Sequence, residues 1–296
     1  MSSNSFFVIA SIRILSGLFS TLKGVAINAG VIIWDTLLAL YNMVAPKRPA
    51  NGVTPEGYPG ANGLWPAYTP AQKDDSRCSC PALNAMANHG ILPHSGRAIK
   101  FKDLSTAIRT TYNFAPTFCY FVPNYIAGVL DRDYLTDSFD LSDIDVHNGI
   151  EHDASLTRHD SIFAKDQGTP AVKLIEELLA SGTGPNGNLT TADLSRFSGK
   201  RRVEAKAVNH QYSLSFLHKM FSSSNSSTML TIFGGDIKDL RPFLLEERIP
   251  DGWQSRITKP MGLTIAEFNS TVLRVELGIK EELPSSFIGD ASGKKS

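Results

Sequence analysis

Along the chain, apolar positions recur every three to four residues in six stretches, and that period predicts amphipathic α-helices. They are PALNAMANHG (81–90), KDLSTAIRTTYN (102–113), TPAVKLIEELLAS (169–181), TADLSRFSGKRRVEAKAV (191–208), YSLSFLHKMFSS (212–223) and LTIAEFNSTVLRVELG (263–278). Clusters of Gly, Pro, Asn and Asp separate them, alternating strand runs are scarce, and no internal repeat is visible. The expected fold class is therefore all-α, with about seven to ten helices.

A second pattern lies upstream. Residues 6–44 are the most apolar part of the chain, running from FFVIASIRILSGLFSTL through Lys23 to GVAINAGVIIWDTLLALYNMV. The stretch Gly24 to Val44 has roughly the twenty residues a bilayer span needs, yet it carries Asn28, Asp35 and Asn42. Two readings follow: a membrane span or signal anchor, or a pair of amphipathic helices lying in the interface. Arg13 and Lys23 on one side balance Lys47 and Arg48 on the other, so orientation stays open. Residues 45–70, dense in Pro and Gly, read as a linker. The domain division is then 1–50 as the apolar membrane-associated segment, 51–280 as the folded domain, and 281–296 as a disordered tail.

Composition narrows the function classes. With 42% hydrophobic and 20% charged residues, the chain has the material for a buried core. Twenty-nine basic and twenty-nine acidic residues leave no excess to neutralise phosphates, so a nucleic-acid partner is not expected. Three cysteines, Cys78, Cys80 and Cys119, permit at most one disulfide and invite a chemical reading.

The segment DDSRCSCPALNAMANHGILPHSGR (74–97) carries most of that chemistry. Pro81 suits the first position of a helix, which makes Cys80 the N-cap and turns Leu83, Met86, Ala87 and Gly90 inward on one face. Free backbone N–H groups and the helix dipole there favour thiolate over thiol. Three readings stay open: a buried structural cysteine, a zinc site from Cys78, Cys80, His89 and His94, or a thiolate ligand to haem iron. Further along, LSDIDVHNGIEHDASLTRHD (141–160) gathers Glu151, His152, Asp153 and Ser155. In a helical turn, Glu151 and Ser155 would share a face and a hard cation; a solvated charged face is the plainer reading.

SCPALNAMANHGILPHSGR resembles the proximal motif of the fungal haem-thiolate peroxidases, the chloroperoxidase and unspecific peroxygenase family, with Ser79 replacing the first proline of Pro-Cys-Pro. Glu-His-Asp-x-Ser-Leu-x-Arg, preceded by His147 and Asn148, resembles that family's second signature. Weaker echoes are Trp65-Pro66, Asp75-Ser76-Arg77, Tyr112-Asn113, Arg201-Arg202 with Asn209, Phe233-Gly234 and EERIPDGW at 246–253, so the likeness covers roughly residues 60–260. The resemblance implies haem b with Cys80 as axial ligand and Pro81, Asn84 and Asn88 around it. It also implies Mg²⁺ or Mn²⁺ held by Glu151 and Ser155 with a haem propionate, and His152 on the peroxide side.

One family feature is missing. The family's distal glutamate precedes Phe-Gly in its helix, and counting back from Phe233-Gly234 puts its place at about Asn225, within SSSNSSTMLTIFGG. From Ser213 to Asp236 the only acid is Asp236 itself. Either His152 or His218 then substitutes as base, or the pocket serves other chemistry. Asn225, like Asn188 and Asn269, also heads a glycosylation sequon, which reads equally as an exposed residue.

The expected function is a haem-thiolate peroxidase or peroxygenase using hydrogen peroxide to oxidise or hydroxylate an organic substrate, in fungal secondary metabolism. Phe114, Phe118, Phe121 and Phe216 are candidates to line its pocket. The alternatives are an isomerase, cyclase or dehydratase on the same fold, and a non-catalytic membrane-attached helical protein. The expected location is membrane-associated through residues 6–44, in the endomembrane or secretory pathway.

Overall fold

Capping chemistry sets where most of the helices begin. A computed structural model describes residues 27 and 29–282, and helices dominate them. Helix α1 runs over 29–44, followed by α2 (Pro81–Asn88), α3 (Phe101–Tyr112), α4 (Pro116–Val129), α5 (Val172–Ala180), α6 (Thr191–Val208), α7 (Phe216–Thr231), α8 (Ile237–Leu245) and α9 (Ile265–Gly278). Prolines open α2 and α4 at positions where no backbone donor is needed. Thr190 with Asp193 and Thr264 with Glu267 form reciprocal capping boxes at α6 and α9, and the Ser215 and Asp236 side chains cap α7 and α8. The only sheet among the described residues is a two-residue antiparallel pair, β1 (Ile99–Lys100) against β2 (Ser138–Phe139), with Ile99 opposite Phe139.

All six predicted helical stretches are helical in whole or part. Two helices had no visible period. Helix α4, PTFCYFVPNYIAGV, is apolar nearly all round and contains Pro123. Helix α8 is nine residues long and contains Pro242. Gly90, expected on the inward face of α2, lies instead past its end with φ of +65° and terminates the helix.

Helix α7 carries the serine run SSSNSST and still packs closely on α9 and α6. Its buried hydroxyls are satisfied locally: Ser226 and Ser227 donate to the Ser223 carbonyl at 3.1 and 2.7 Å, and Ser223 donates to Glu276 of α9 at 2.6 Å. Small side chains allow the close approach, and the bonds of Ser223, Ser226 and Ser227 spare these buried donors from being unpaired. Arg202 of α6, nearly fully buried, grips both Glu276 oxygens at 2.9 and 2.7 Å, tying α6 to α9.

No helix among the described residues is long and apolar enough to cross a membrane. The spanning reading of Gly24–Val44 is corrected on physical grounds, because Asp35 and Asn42 are buried against the protein. Asn42 donates to the Gly262 carbonyl at 2.8 Å. Gly262 itself has φ of +82°, and a Cβ there would sit 2.6 Å from the Asn113 carbonyl oxygen, so only glycine fits this turn. Residues 1–26, which hold the first half of the predicted apolar segment, lie outside the described residues, as does 283–296 of the predicted tail. Glu281, at the start of that tail, is fixed by Lys219 at 2.5 Å.

Candidate functional site

The cysteine loop is held from behind by a buried polar network. Cys80 is the N-cap of α2, with extended backbone (φ −89°, ψ 108°) and Pro81 following, as the sequence predicts. Cys78, fully buried, donates its N–H to Asn84 Oδ1 at 3.0 Å, while Asn84 Nδ2 donates to the Cys78 carbonyl at 2.7 Å and to Glu247 Oε1 at 2.8 Å. Arg158 donates to the same Glu247 oxygen at 2.6 Å, both side chains being buried. Asn88 accepts from the Arg77 guanidinium at 3.0 and 2.6 Å and donates to the Glu247 carbonyl. Ser79, standing where a proline would have no donor, gives its N–H to Asp145 Oδ1 at 2.8 Å.

With its backbone fixed in this way, Cys80 presents its side chain to a cavity of about 500 Å³. Phe114, Phe118, Phe121 and Phe233 make much of the wall, and Tyr112, which donates to the Ala82 carbonyl at 2.8 Å, closes the side nearest α2. Burial raises the Cys80 thiol above its ordinary pKa, opposed by the N–H groups of Leu83 and Ala82 and by the Arg158 charge. The sequence reading, which counted only the helix end, expected the opposite direction. Desolvation by the apolar wall outweighs it, and a metal bonded to the sulfur would displace the proton outright.

On the same cavity lie Glu151, His152, Ser155 and Asn225. His152 is buried, and its Nδ1 lies 2.8 Å from the Asp153 carbonyl, an acceptor only, so Nδ1 carries the proton and Nε2 accepts from Asn225 Nδ2 at 3.3 Å. Burial lowers the His152 pKa to about 4, with the Asp153 carbonyl opposing and the His218 charge adding, so the ring is neutral at physiological pH. Among the described residues, Glu151 is the only acidic one lining the cavity. Its Oε2 lies 2.6 Å from His147 Nδ1, and its Oε1 is buried without a partner. Burial raises this carboxyl and His147 opposes the rise.

The family model described as "Peroxidase, family 2" matches residues 66–258, a range that spans the cysteine loop, the Glu151 cluster and Asn225. The chain belongs to peroxidase family 2. It is 36% identical over 121 residues to a chloroperoxidase of Leptoxyphium fumago, covering 38% of this chain and 31% of that protein. It is 28% identical over 166 residues to an aromatic peroxygenase of Cyclocybe aegerita, covering 49% and 43%. A dothistromin biosynthesis peroxidase of Dothistroma septosporum is 24% identical over 242 residues, covering 68% and 57%. The chain thus spans less than half the length of the first two relatives it matches.

Membership of peroxidase family 2 implies a haem cofactor, and the residues present fit one. A sulfur at a helix start faces a largely apolar cavity, with one orphaned carboxylate oxygen at its wall. Pro81 also lines the cavity. Asn84 and Asn88, expected beside the cofactor, are instead fully engaged with the Cys78 loop, Arg77 and Glu247 and do not line the cavity. Phe216 is 78% exposed and stands away from it, because α7 begins there and turns the residue outward.

Three further expectations change. The 151–159 stretch is irregular rather than helical, so Glu151 and Ser155 meet at the cavity through loop geometry and not through an i, i+4 face. His218 is buried with its ring against Ser215 and Phe221, off the cavity, which leaves His152 as the imidazole in place. His89 accepts from the Ile249 N–H and donates to the Pro66 carbonyl, a satisfied core histidine, and among the described residues no group of three or more His, Cys, Asp or Glu is placed to hold a metal. Zinc at Cys78, Cys80, His89 and His94 has no support. Sequence reasoning quoted Arg158 and Glu247 inside motifs without giving them a role and passed over Asp145; the signal of all three is buried charge brought from far along the chain.

Proposed function

We propose that this chain is a haem-thiolate peroxidase or peroxygenase that uses hydrogen peroxide to oxidise or hydroxylate an organic substrate. The observation that carries the reading is Cys80, fixed at the N-cap of α2 and presented to an apolar cavity shared with His152. When bound, a haem with a thiolate ligand supplies the oxidising chemistry, since the sulfur's electron density favours O–O cleavage. Every other task falls to side chains. Cys80 holds the iron; the N–H groups of Ala82 and Leu83 restrain the sulfur's basicity. The phenylalanine wall excludes water and favours an apolar, aromatic-sized substrate.

The unprotonated Nε2 of His152 accepts from the Asn225 amide, a group that cannot itself take a proton as a carboxylate would. Glu151 and Ser155 are the proposed ligands of a Mg²⁺ or Mn²⁺ ion. Among the described residues no Arg or Lys lines the cavity, and the unpartnered Glu151 Oε1 would be available to such a cation. A place in secondary metabolism and an endomembrane or secretory location belong to the same proposal, supported by the dothistromin relative's name and by the apolar 6–44 segment.

A second reading, an isomerase, cyclase or dehydratase, is favoured by one observation: the place beside His152 is filled by an amide. Peroxide-dependent oxidation of a general aromatic substrate by the haem-loaded chain, abolished in Cys80→Ala, is the result expected of the leading reading. A wild type inert towards peroxide that gains activity in Asn225→Glu would establish the second.

A further inference from the structure

Helix α1 is amphipathic the wrong way round for a helix packed on a protein. Two of its polar residues, Asp35 and Asn42, point inward. Asp35, 4% exposed, accepts from the Ile265 and Ala266 N–H groups at 2.9 and 2.9 Å and from the Thr117 hydroxyl. Asn42, seven residues on, accepts from the Met261 N–H at 3.0 Å. Its apolar residues point outward: Ile33, Leu37, Leu40 and Val44 are 62%, 60%, 54% and 83% exposed, spaced as one stripe. A stripe of large apolar side chains marks an interaction surface.

Three occupants compete: residues 1–26, a second copy, and lipid. Residues 6–22 are themselves apolar, so laying them over α1 would add surface in need of cover. Trp34 and Tyr41, half exposed, flank the stripe, and Lys23 and Lys47 bracket the helix in sequence, the pattern of an interfacial segment. Asp35 and Asn42, turned into the protein along the same helix, keep it lying on the domain, which fits an interfacial placement.

The geometry points to α1 resting on a lipid bilayer through Ile33, Leu37, Leu40 and Val44, with the cavity mouth held at that surface. The α1 anchors sit on the two helices that form the rim. Thr117 lies one turn before Phe121, which lines the cavity at 47% exposure, and Ile265 lines it directly, one turn before the exposed Asn269. A lipophilic substrate therefore reaches the cavity laterally, from the membrane. The docking itself does not depend on what the cavity holds.

The test uses the full-length chain and phosphatidylcholine vesicles, with and without phosphatidylserine. The chain is expected to float with the vesicles. Brominated phosphatidylcholine is expected to quench an emission component absent in Trp34→Phe, because the other two tryptophans, Trp65 and Trp253, pack against each other with tilted rings, Trp253 buried and Trp65 partly so. Leu37→Glu with Leu40→Glu, on exposed sites and with unchanged helix content by circular dichroism, should weaken vesicle binding by about tenfold or more. Flotation without quenching of Trp34 would overturn the proposal, leaving residues 1–26 as the membrane contact. A chain that stays off vesicles and elutes as a dimer separated by the same two substitutions would overturn it in favour of a second copy.

Discussion

Asn225 Nδ2 donates to His152 Nε2 at 3.3 Å, at the wall of the cavity that Cys80 shares. The amide occupies the lone pair that an imidazole base would use, and His152 is neutral because burial lowers its pKa to about 4. An imidazole base is thus in place at this cavity but held by a donor.

Replacing that donor by an acid should restore proton transfer. Asn225→Glu is expected to raise kcat/KM for peroxide by about 10²-fold or more, the usual contribution of a positioned general base, with KM for the organic substrate little changed. Stopped-flow measurement of peroxide consumption checks it; an unchanged rate would mean that proton transfer is not limiting.

The buried ring also sets a pH dependence of stability. With a folded pKa of about 4 against an ordinary 6.5, the unfolded chain takes up the proton first as pH falls. Stability is therefore unaffected above pH 6.5 and is lost between 6.5 and 4, by ~3 kcal/mol in all. Urea titrations of wild type and His152→Gln across that range should show the difference between them growing as pH falls and levelling below 4.

Asp145 acts with the opposite sign. Burial raises its carboxyl to about 6 from 3.8, although the Ser79 N–H and Arg158 oppose the rise. Its contribution is intact below pH 3.8 and is lost as pH rises through 6. Asp145→Asn keeps the acceptor for Ser79 and removes the charge, so the variant should be more stable at pH 8 by ~2 kcal/mol and equal to wild type at pH 3.5.

The ion pair beneath the cysteine loop predicts a larger loss. Glu247→Ala leaves the Arg158 guanidinium, 1% exposed, and Asn84 without their shared partner. A destabilisation of about 3–5 kcal/mol is expected, read as a fall in melting temperature and in haem retained on gel filtration. Replacing both members by apolar residues should recover much of the stability while leaving the Cys78 loop less ordered.

These residues also show where the sequence is legible and where it stops. The Cys80-Pro81 start of α2 depends on neighbouring residues, so spacing reveals it, whereas the place of Asn225 comes from the family resemblance. Glu247 meets Asn84 across 163 residues, and nothing local distinguishes it from the exposed Glu246 beside it. Helix α4 was invisible because its apolar residues have no single face and Pro123 sits inside it. The Glu151-to-Ser155 spacing misled for the converse reason: four residues match a helical turn, but that stretch is an irregular loop tied by the His147 contact and the Arg201 bond to the Ser155 carbonyl.

The proposed function depends above all on Cys80 ligating haem iron as a thiolate. The absorption spectrum of the ferrous carbon monoxide complex tests it most directly, because the position of the Soret band reports the ligand opposite carbon monoxide. The account predicts a strongly red-shifted thiolate-type band in the wild type that disappears in Cys80→Ala. A band at the position typical of histidine ligation, one that survives in Cys80→Ala, or a chain that takes up no haem at all, would contradict it.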